Sequence, residues 1–205
     1  MAKPKAADLV LSGGGVKGIG LVGAVVALMD AGYGAQRVSG TSAGSIVGAI
    51  VAAASMGNQL SADEVKELAL QLDYHKFTDP GPIERFPLLG PSLAVLRGTG
   101  IYKGDYAHDW VRSQLASLGV RTCGDLAVDD DDLPPERRYK LVVTVADVTT
   151  GQLVRLPWDY RRVYGLDPGP LSCFDVDTVP EGPCAETRVN LGAEGSHHPA
   201  ACRPR

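Results

Sequence analysis

Ala7-Asp8-Leu9-Val10-Leu11-Ser12 running into Gly13-Gly14-Gly15-Val16-Lys17-Gly18, and Gln36-Arg37-Val38-Ser39-Gly40 running into Thr41-Ser42-Ala43-Gly44, together decide the fold. Each is a short strand pattern that ends in a glycine-rich loop. Each loop opens an apolar run of helical length, Gly18 to Ala31 and Ala43 to Met56. Gly32-Tyr33-Gly34 stops the first of these, as glycine just past a helix commonly does. Strand–loop–helix twice in the first quarter of the chain predicts a parallel sheet with covered faces and a right-handed crossover. On this reading the strand over 7–12 is buried.

Outward from this pair, Ser61-Ala62-Asp63-Glu64 is a capping-box pattern, followed by Val65, Leu68, Ala69 and Leu72 on one helical face. Residues 79–104 are rich in Pro and Gly, with Phe86, Leu88, Leu89, Leu93, Val95 and Leu96 scattered through them. They read as a loop or short cap over the core. Gly104 to Leu118 returns to helix. Asp129 to Asp132 before Pro134-Pro135 reads as a solvated acidic turn. Tyr139 to Asp147 is the clearest strand of the second half, and Thr149-Thr150-Gly151 turns it into Gln152–Leu156 as an antiparallel partner. From about Leu166 periodicity stops, and Pro168, Pro170, Pro180, Pro183, Pro199 and Pro204 break any element. The expected organisation is a domain over 7–166 and an irregular, disordered tail over 167–205.

Composition sets the class. The 205 residues are 44% hydrophobic and 21% charged, enough for a sizeable core in one domain. A net charge of -4 argues against nucleic acid as a partner. Cys123, Cys173, Cys184 and Cys202 form no C-x-x-C pair and fit no zinc spacing with histidine. Met1 to Asp8 lacks the apolar stretch of a secretion signal, and the run from Ile19 to Met29 is too short to cross a bilayer. A cytoplasmic protein without metal or cofactor is expected.

The chemistry lies in the two loops. A serine hydroxyl must be activated to attack an ester or amide. In Gly40-Thr41-Ser42-Ala43-Gly44 the serine occupies a tight strand-to-helix turn, its flanking glycines leave room for close backbone packing, and the following helix aims its positive dipole end at the reacting oxygen. The consecutive glycines at Gly13 to Gly15 leave backbone N–H groups open to the oxyanion of a tetrahedral intermediate. Lys17 adds positive potential or a surface charge in the first helical turn. Gly13-x-Gly15-x-x-Gly18 also fits a dinucleotide fingerprint, but that site needs an acid near the end of the second strand, where Ser39-Gly40 stand. A P-loop fails because Ile19-Gly20, not Lys and Ser/Thr, follow Gly18.

Gly13 to Gly18 followed by Gly40 to Gly44 resembles the patatin-like phospholipase family, and Thr144 to Asp147 with Thr149-Thr150-Gly151 resembles a further strand-and-turn element of it. The resemblance covers about Asp8 to Leu166. It implies a three-layer α/β/α sandwich with a mainly parallel central sheet, here incomplete at the C-terminus. It implies hydrolysis of lipid acyl esters by a Ser–Asp dyad without histidine or metal. Ser42 is then the nucleophile, Gly13, Gly14, Gly15, Val16, Lys17 and Gly18 the oxyanion loop, and Gly40, Thr41, Ala43 and Gly44 the elbow. The implied partner is a phospholipid or another acyl ester, met dispersed or through peripheral membrane contact, with residues between Phe86 and Leu96 shaping the acyl-chain entrance.

The family's dyad aspartate lies in a late Asp-Gly motif, and this chain has no Asp-Gly dipeptide. Asp175 and Asp177 are followed by Val and Thr, Asp105 and Asp109 fall in a predicted helix, and Asp147 resembles a family position other than the base. No base is assigned. His75 and His108 are isolated, and His197-His198 lie in the tail. The same gap supports a second reading: a truncated or frame-shifted, inactive family member acting as a lipid- or protein-binding module.

Overall fold

The computed structural model of the chain describes residues 5–56, 60–72, 105–147 and 151–171. Four strands form one sheet in the order β1 (Lys5–Leu11), β2 (Tyr33–Thr41), β3 (Leu141–Asp147), β4 (Gln152–Leu156). The first three are parallel, and β4 returns antiparallel to β3. Helix α1 (Ile19–Asp30) crosses from β1 to β2, and α2 (Ala43–Ala54) follows β2. Two further α-helices among the described residues are α3 (Ala62–Leu70) and α4 (Asp105–Ser117). This is the α/β class that the paired strand–loop–helix units predict. Residues 73–104, 148–150 and 172–205 lie outside the described residues, and with them the expected cap, the acyl-chain entrance, His75, Asp175, Asp177, His197 and His198.

Local signals set the boundaries. Gly32, at φ 80°, takes a backbone conformation that other residues adopt only with strain, and it turns the chain from α1 into β2. The capping box of α3 closes in both directions: the Glu64 N–H donates to Ser61 Oγ at 3.3 Å, and the Ser61 N–H donates to Glu64 Oε2 at 2.7 Å. The Ser61 N–H, and then the Ser61 hydroxyl donating to the same Glu64 oxygen at 2.8 Å, hold the Glu64 carboxyl below its ordinary range. The acidic stretch at Asp129–Asp132 is a turn that Arg138 fastens, donating to the Leu133 carbonyl at 2.8 Å and pairing with Asp131 at 3.0 Å.

The core sits between the sheet and α2. Leu11, Val38 and Leu141, one from each parallel strand, converge on Gly48 of α2. Ala49, Ala52 and Ala53 of that helix have no exposed surface. The small side chains let α2 settle close onto the strands. Val38 already lies 2.9 Å from where a Cβ at Gly48 would be.

One expectation fails here. The strand over 7–12 is not buried: Val10 is 85% exposed. Among the described residues β1 is the outer strand, and strand alternation sends only its Leu9 and Leu11 side toward the core. The other side carries Val10 and an exposed Asp8–Arg37 ion pair at 3.2 Å.

Candidate active site

Ser42 sits between β2 and α2, at the C-terminal end of the parallel strands, where open α/β sheets place their ligands. It is the one residue other than glycine with positive φ among the described residues, at φ 52° and ψ -127°. An L-residue pays for that conformation with about 1–3 kcal/mol of strain. Packing on both sides of the turn enforces it. A Cβ at Gly40 would lie 2.6 Å from the Gly44 carbonyl carbon and the Ser45 Cα. A Cβ at Gly44 would lie 2.6 Å from the Leu11 carbonyl carbon and the Ser12 oxygen. The two glycines let β2 run directly into α2 while α2 presses on the end of β1. The Ser42 carbonyl accepts the Ser45 N–H at 2.8 Å and the Ser45 hydroxyl, which starts the helix.

The glycine loop lies against this turn. A Cβ at Gly13 would stand 3.1 Å from Ser42 Cβ and 3.8 Å from Ser42 Oγ. A Cβ at Gly18 would stand 3.0 Å from Ala43 Cβ. The loop therefore touches the serine turn at both of its ends. Gly15 turns at φ 56°, and Gly15–Gly18 form one 3-10 turn ahead of α1. The Lys17 N–H closes back onto the Gly14 carbonyl at 3.1 Å. The N–H groups of Gly13 and Gly14 donate to no backbone acceptor among the described residues. Gly13 to Lys17, Thr41 and Ser42 are exposed, Val16 at 69%, while Gly18, Gly40 and Gly44 are buried and Ala43 is half-buried. Such an arrangement can present a hydroxyl and uncommitted N–H donors to one reacting carbonyl.

The family model for patatin-like phospholipase matches residues 9–167. The chain belongs to the patatin-like phospholipase family. The protein YqhO of Bacillus subtilis (strain 168) is 34% identical over 165 residues, which cover 78% of this chain and 50% of that protein. The chain thus spans half the length of that relative. Among solved structures, VipD from Legionella pneumophila is similar at 22% identity and a TM-score of 0.43, over 77% of this chain and 40% of that one. A chain of the Pseudomonas aeruginosa ExoU–SpcU complex matches at 23% identity and a TM-score of 0.44, over 75% of this chain and 35% of that one. The family match, not these likenesses, carries the assignment to the patatin-like three-layer α/β/α fold.

A serine hydroxyl that is to act as a nucleophile needs a proton acceptor. Among the described residues Ser42 Oγ has no hydrogen-bond partner. Asp147 ends β3, beside the strand that leads to Ser42, and is buried at 4% exposure. It accepts the Tyr164 hydroxyl at 2.9 Å. Burial, and then this carboxylate, push the Tyr164 hydroxyl well above its usual range. His108 lies on α4 with Nδ1 3.4 Å from the neighbouring Asp109 carboxylate. No three His, Cys, Asp or Glu among the described residues are grouped to hold a metal. No helix among them is long and apolar enough to cross a membrane.

Sequence reasoning missed one charged cluster. Asp159, 3% exposed, follows β4 and accepts from Arg155 Nε and Nη2 at 3.0 Å each, from the Arg155 backbone N–H at 2.8 Å, and from Arg162 Nε at 3.2 Å. The Arg155 guanidinium first, aided by that N–H and by Arg162, holds the Asp159 carboxyl far below its ordinary range. The i,i+4 spacing of Arg155 and Asp159 was the available signal. It carries no weight outside a helix, and here the residues straddle the end of a strand.

Proposed function

We propose that this chain is the serine-bearing part of a patatin-like lipid acyl hydrolase. The observation that carries the reading is the strained Ser42, held at positive φ between two glycines that no larger residue could replace, with the Gly13 loop against its side chain. Ser42 Oγ attacks the ester carbonyl carbon of a phospholipid or another hydrophobic ester. The carbonyl oxygen takes the negative charge beside the Gly13 and Gly14 N–H groups, and the positive end of α2 adds to its stabilisation. The serine proton passes to a base, the alcohol leaves as the carbonyl reforms, and water then releases the acid from the acyl-serine. One donor in such a hole lowers the barrier by about 3 kcal/mol.

A fluorophosphonate probe tests the reading. Labelling of the wild-type chain that vanishes in Ser42→Ala is the expected result. No labelling, together with no hydrolysis of a p-nitrophenyl acyl ester, sinks it. The second reading is a non-catalytic lipid- or protein-binding module. It is favoured by the unpartnered Ser42 hydroxyl among the described residues and by the missing Asp-Gly. It predicts the second outcome of the same experiment.

A further inference from the structure

We infer that the lip formed by Val16, Lys17 and Ile19, continued by the outer face of α1, is where this protein meets an anionic lipid surface. The inference deepens the hydrolase reading and rests on it, because the lip borders the same serine.

The lip belongs to the glycine loop. Over residues 13–20 only Val16, Lys17 and Ile19 carry side chains, and all three are exposed, Val16 at 69% and Ile19 at 45%. The loop touches the serine turn at Gly13 and at Gly18, and Val16 and Lys17 lie between those two points. Side chains three residues apart stand above one another on a 3-10 turn, so Val16 and Ile19 project on one side.

Helix α1 continues the lip. A surface helix ordinarily turns charged and polar side chains to water. Its neighbour α3 does so with Asp63, Lys66 and Glu67. In contrast, α1 has no polar side chain before Asp30, its last residue, yet Ile19, Gly20, Gly23 and Ala24 are exposed. A helix that is apolar all round belongs where every side is covered. Among the described residues one side of α1 is bare, and that side begins at the lip.

Charge and size select the occupant. Lys17 stands at the positive end of α1, where a cation is disfavoured, and no acidic residue occupies the first turn. Among the described residues it makes no ion pair. A cation placed against its own helix is matched by an anionic partner. The bare side of α1 is about 18 Å long and about 10 Å wide, well short of the roughly 800 Å² that a stable protein interface takes from each partner. A lipid surface asks for less. Two branched apolar side chains settle below the head groups, while the lysine stem keeps its ammonium at their level. The lip then holds an ester-bearing surface beside Ser42.

The test uses the full chain carrying Ser42→Ala, so that lipid is bound and not hydrolysed. Co-sedimentation is measured with vesicles of phosphatidylglycerol and with vesicles of phosphatidylcholine. The expected result is saturable binding, tighter to phosphatidylglycerol. Val16→Ser and Ile19→Ser should each weaken it by about tenfold, the factor for one apolar side chain returned to water. Lys17→Gln should weaken it by about fivefold on phosphatidylglycerol alone. Met56→Ser is the control, since this exposed apolar residue follows α2 near the start of β3, at the end of the sheet away from Ser42, and its loss should change nothing. Thermal melting confirms that each variant is folded. Absence of binding, binding that the Val16 and Ile19 variants leave unchanged, or equal weakening by Met56→Ser overturns the site. Equal binding to the two kinds of vesicle overturns the anionic assignment. Self-association that needs Val16 and Ile19, read by analytical ultracentrifugation in a chain that binds no vesicle, assigns the face to a second copy and overturns the lipid occupant. The hydrolase reading fails separately. A chain that retains Ser42 and carries Ile19→Ser should keep its fluorophosphonate labelling, and absent labelling in a chain that binds vesicles overturns the hydrolase reading while the lip stands.

Discussion

The serine turn and the corner after β4 are held in opposite ways. Around Ser42 the closest contacts are backbone on backbone: Gly40 against Gly44 and Ser45, Gly44 against Leu11 and Ser12. Around Asp159 they are side chain on side chain, with two arginines on one carboxylate and an indole ring beside them. The first tolerates no added atom but involves no charge. The second can lose an atom, yet it depends on a carboxylate that must stay ionised. The contrast teaches that a close-packed turn fails by steric intrusion and a charged corner by loss of a partner or a proton.

The largest effect is expected where the packing is tightest. Gly44→Ala puts a methyl group into the end of β1, and neither backbone can yield without moving a strand. We expect a loss of several kcal/mol or failure to fold, read by urea denaturation; a loss under about 1 kcal/mol would show that the turn is looser than described. Asp159→Asn comes next. It leaves Arg155 without its counter-charge and should cost about 3 kcal/mol, reduced somewhat because the arginine is half exposed. The pH dependence has a definite sign. The folded carboxyl titrates below its unfolded value near 4, so its contribution is present above about pH 4 and is lost as pH falls. Acid titration of the melting temperature should therefore be flatter in Asp159→Asn than in wild type, and identical slopes would contradict the assignment.

Two smaller changes go the other way. Ser42→Gly removes the strain of positive φ and should stabilise the chain by about 1 kcal/mol in thermal melts, while Ser42→Ala should not. Equal stability of the two would mean that the turn carries no strain. Gly23→Ala lies in α1 with nothing within 4 Å of the added methyl group, and it should stabilise by about 0.5–1 kcal/mol through helix propensity alone.

The two regions also differed in how much of them the sequence disclosed. The serine turn was legible because its constraints are local. Six residues of glycine loop and five of elbow, each between a strand and a helix, hold their meaning at short range. The capping box of Ser61 and Glu64 was read for the same reason. The corner was not legible, because Arg137 reaches Trp158 from a separate 3-10 turn, and Asp147 meets Tyr164 only once the chain has folded back across β4. The candidate site is legible only in halves. The serine and its loop have a pattern, whereas a base has only an identity, and Asp-Gly is not in the chain.

By itself, then, the sequence determined the alternation of strands, loops and helices, the antiparallel return at β4, and the family, since glycine spacing and apolar period act within a few residues. Tertiary structure alone decided what is covered. The segments of α1 and α2 are apolar to a similar degree, yet α2 lies over three strands and buries nine of its twelve residues, while α1 buries Val22 and Val25. Val10 is as apolar as Leu11 and stands in solvent at the outer strand. Burial depends on which elements arrive on each face, and no local pattern carries that information.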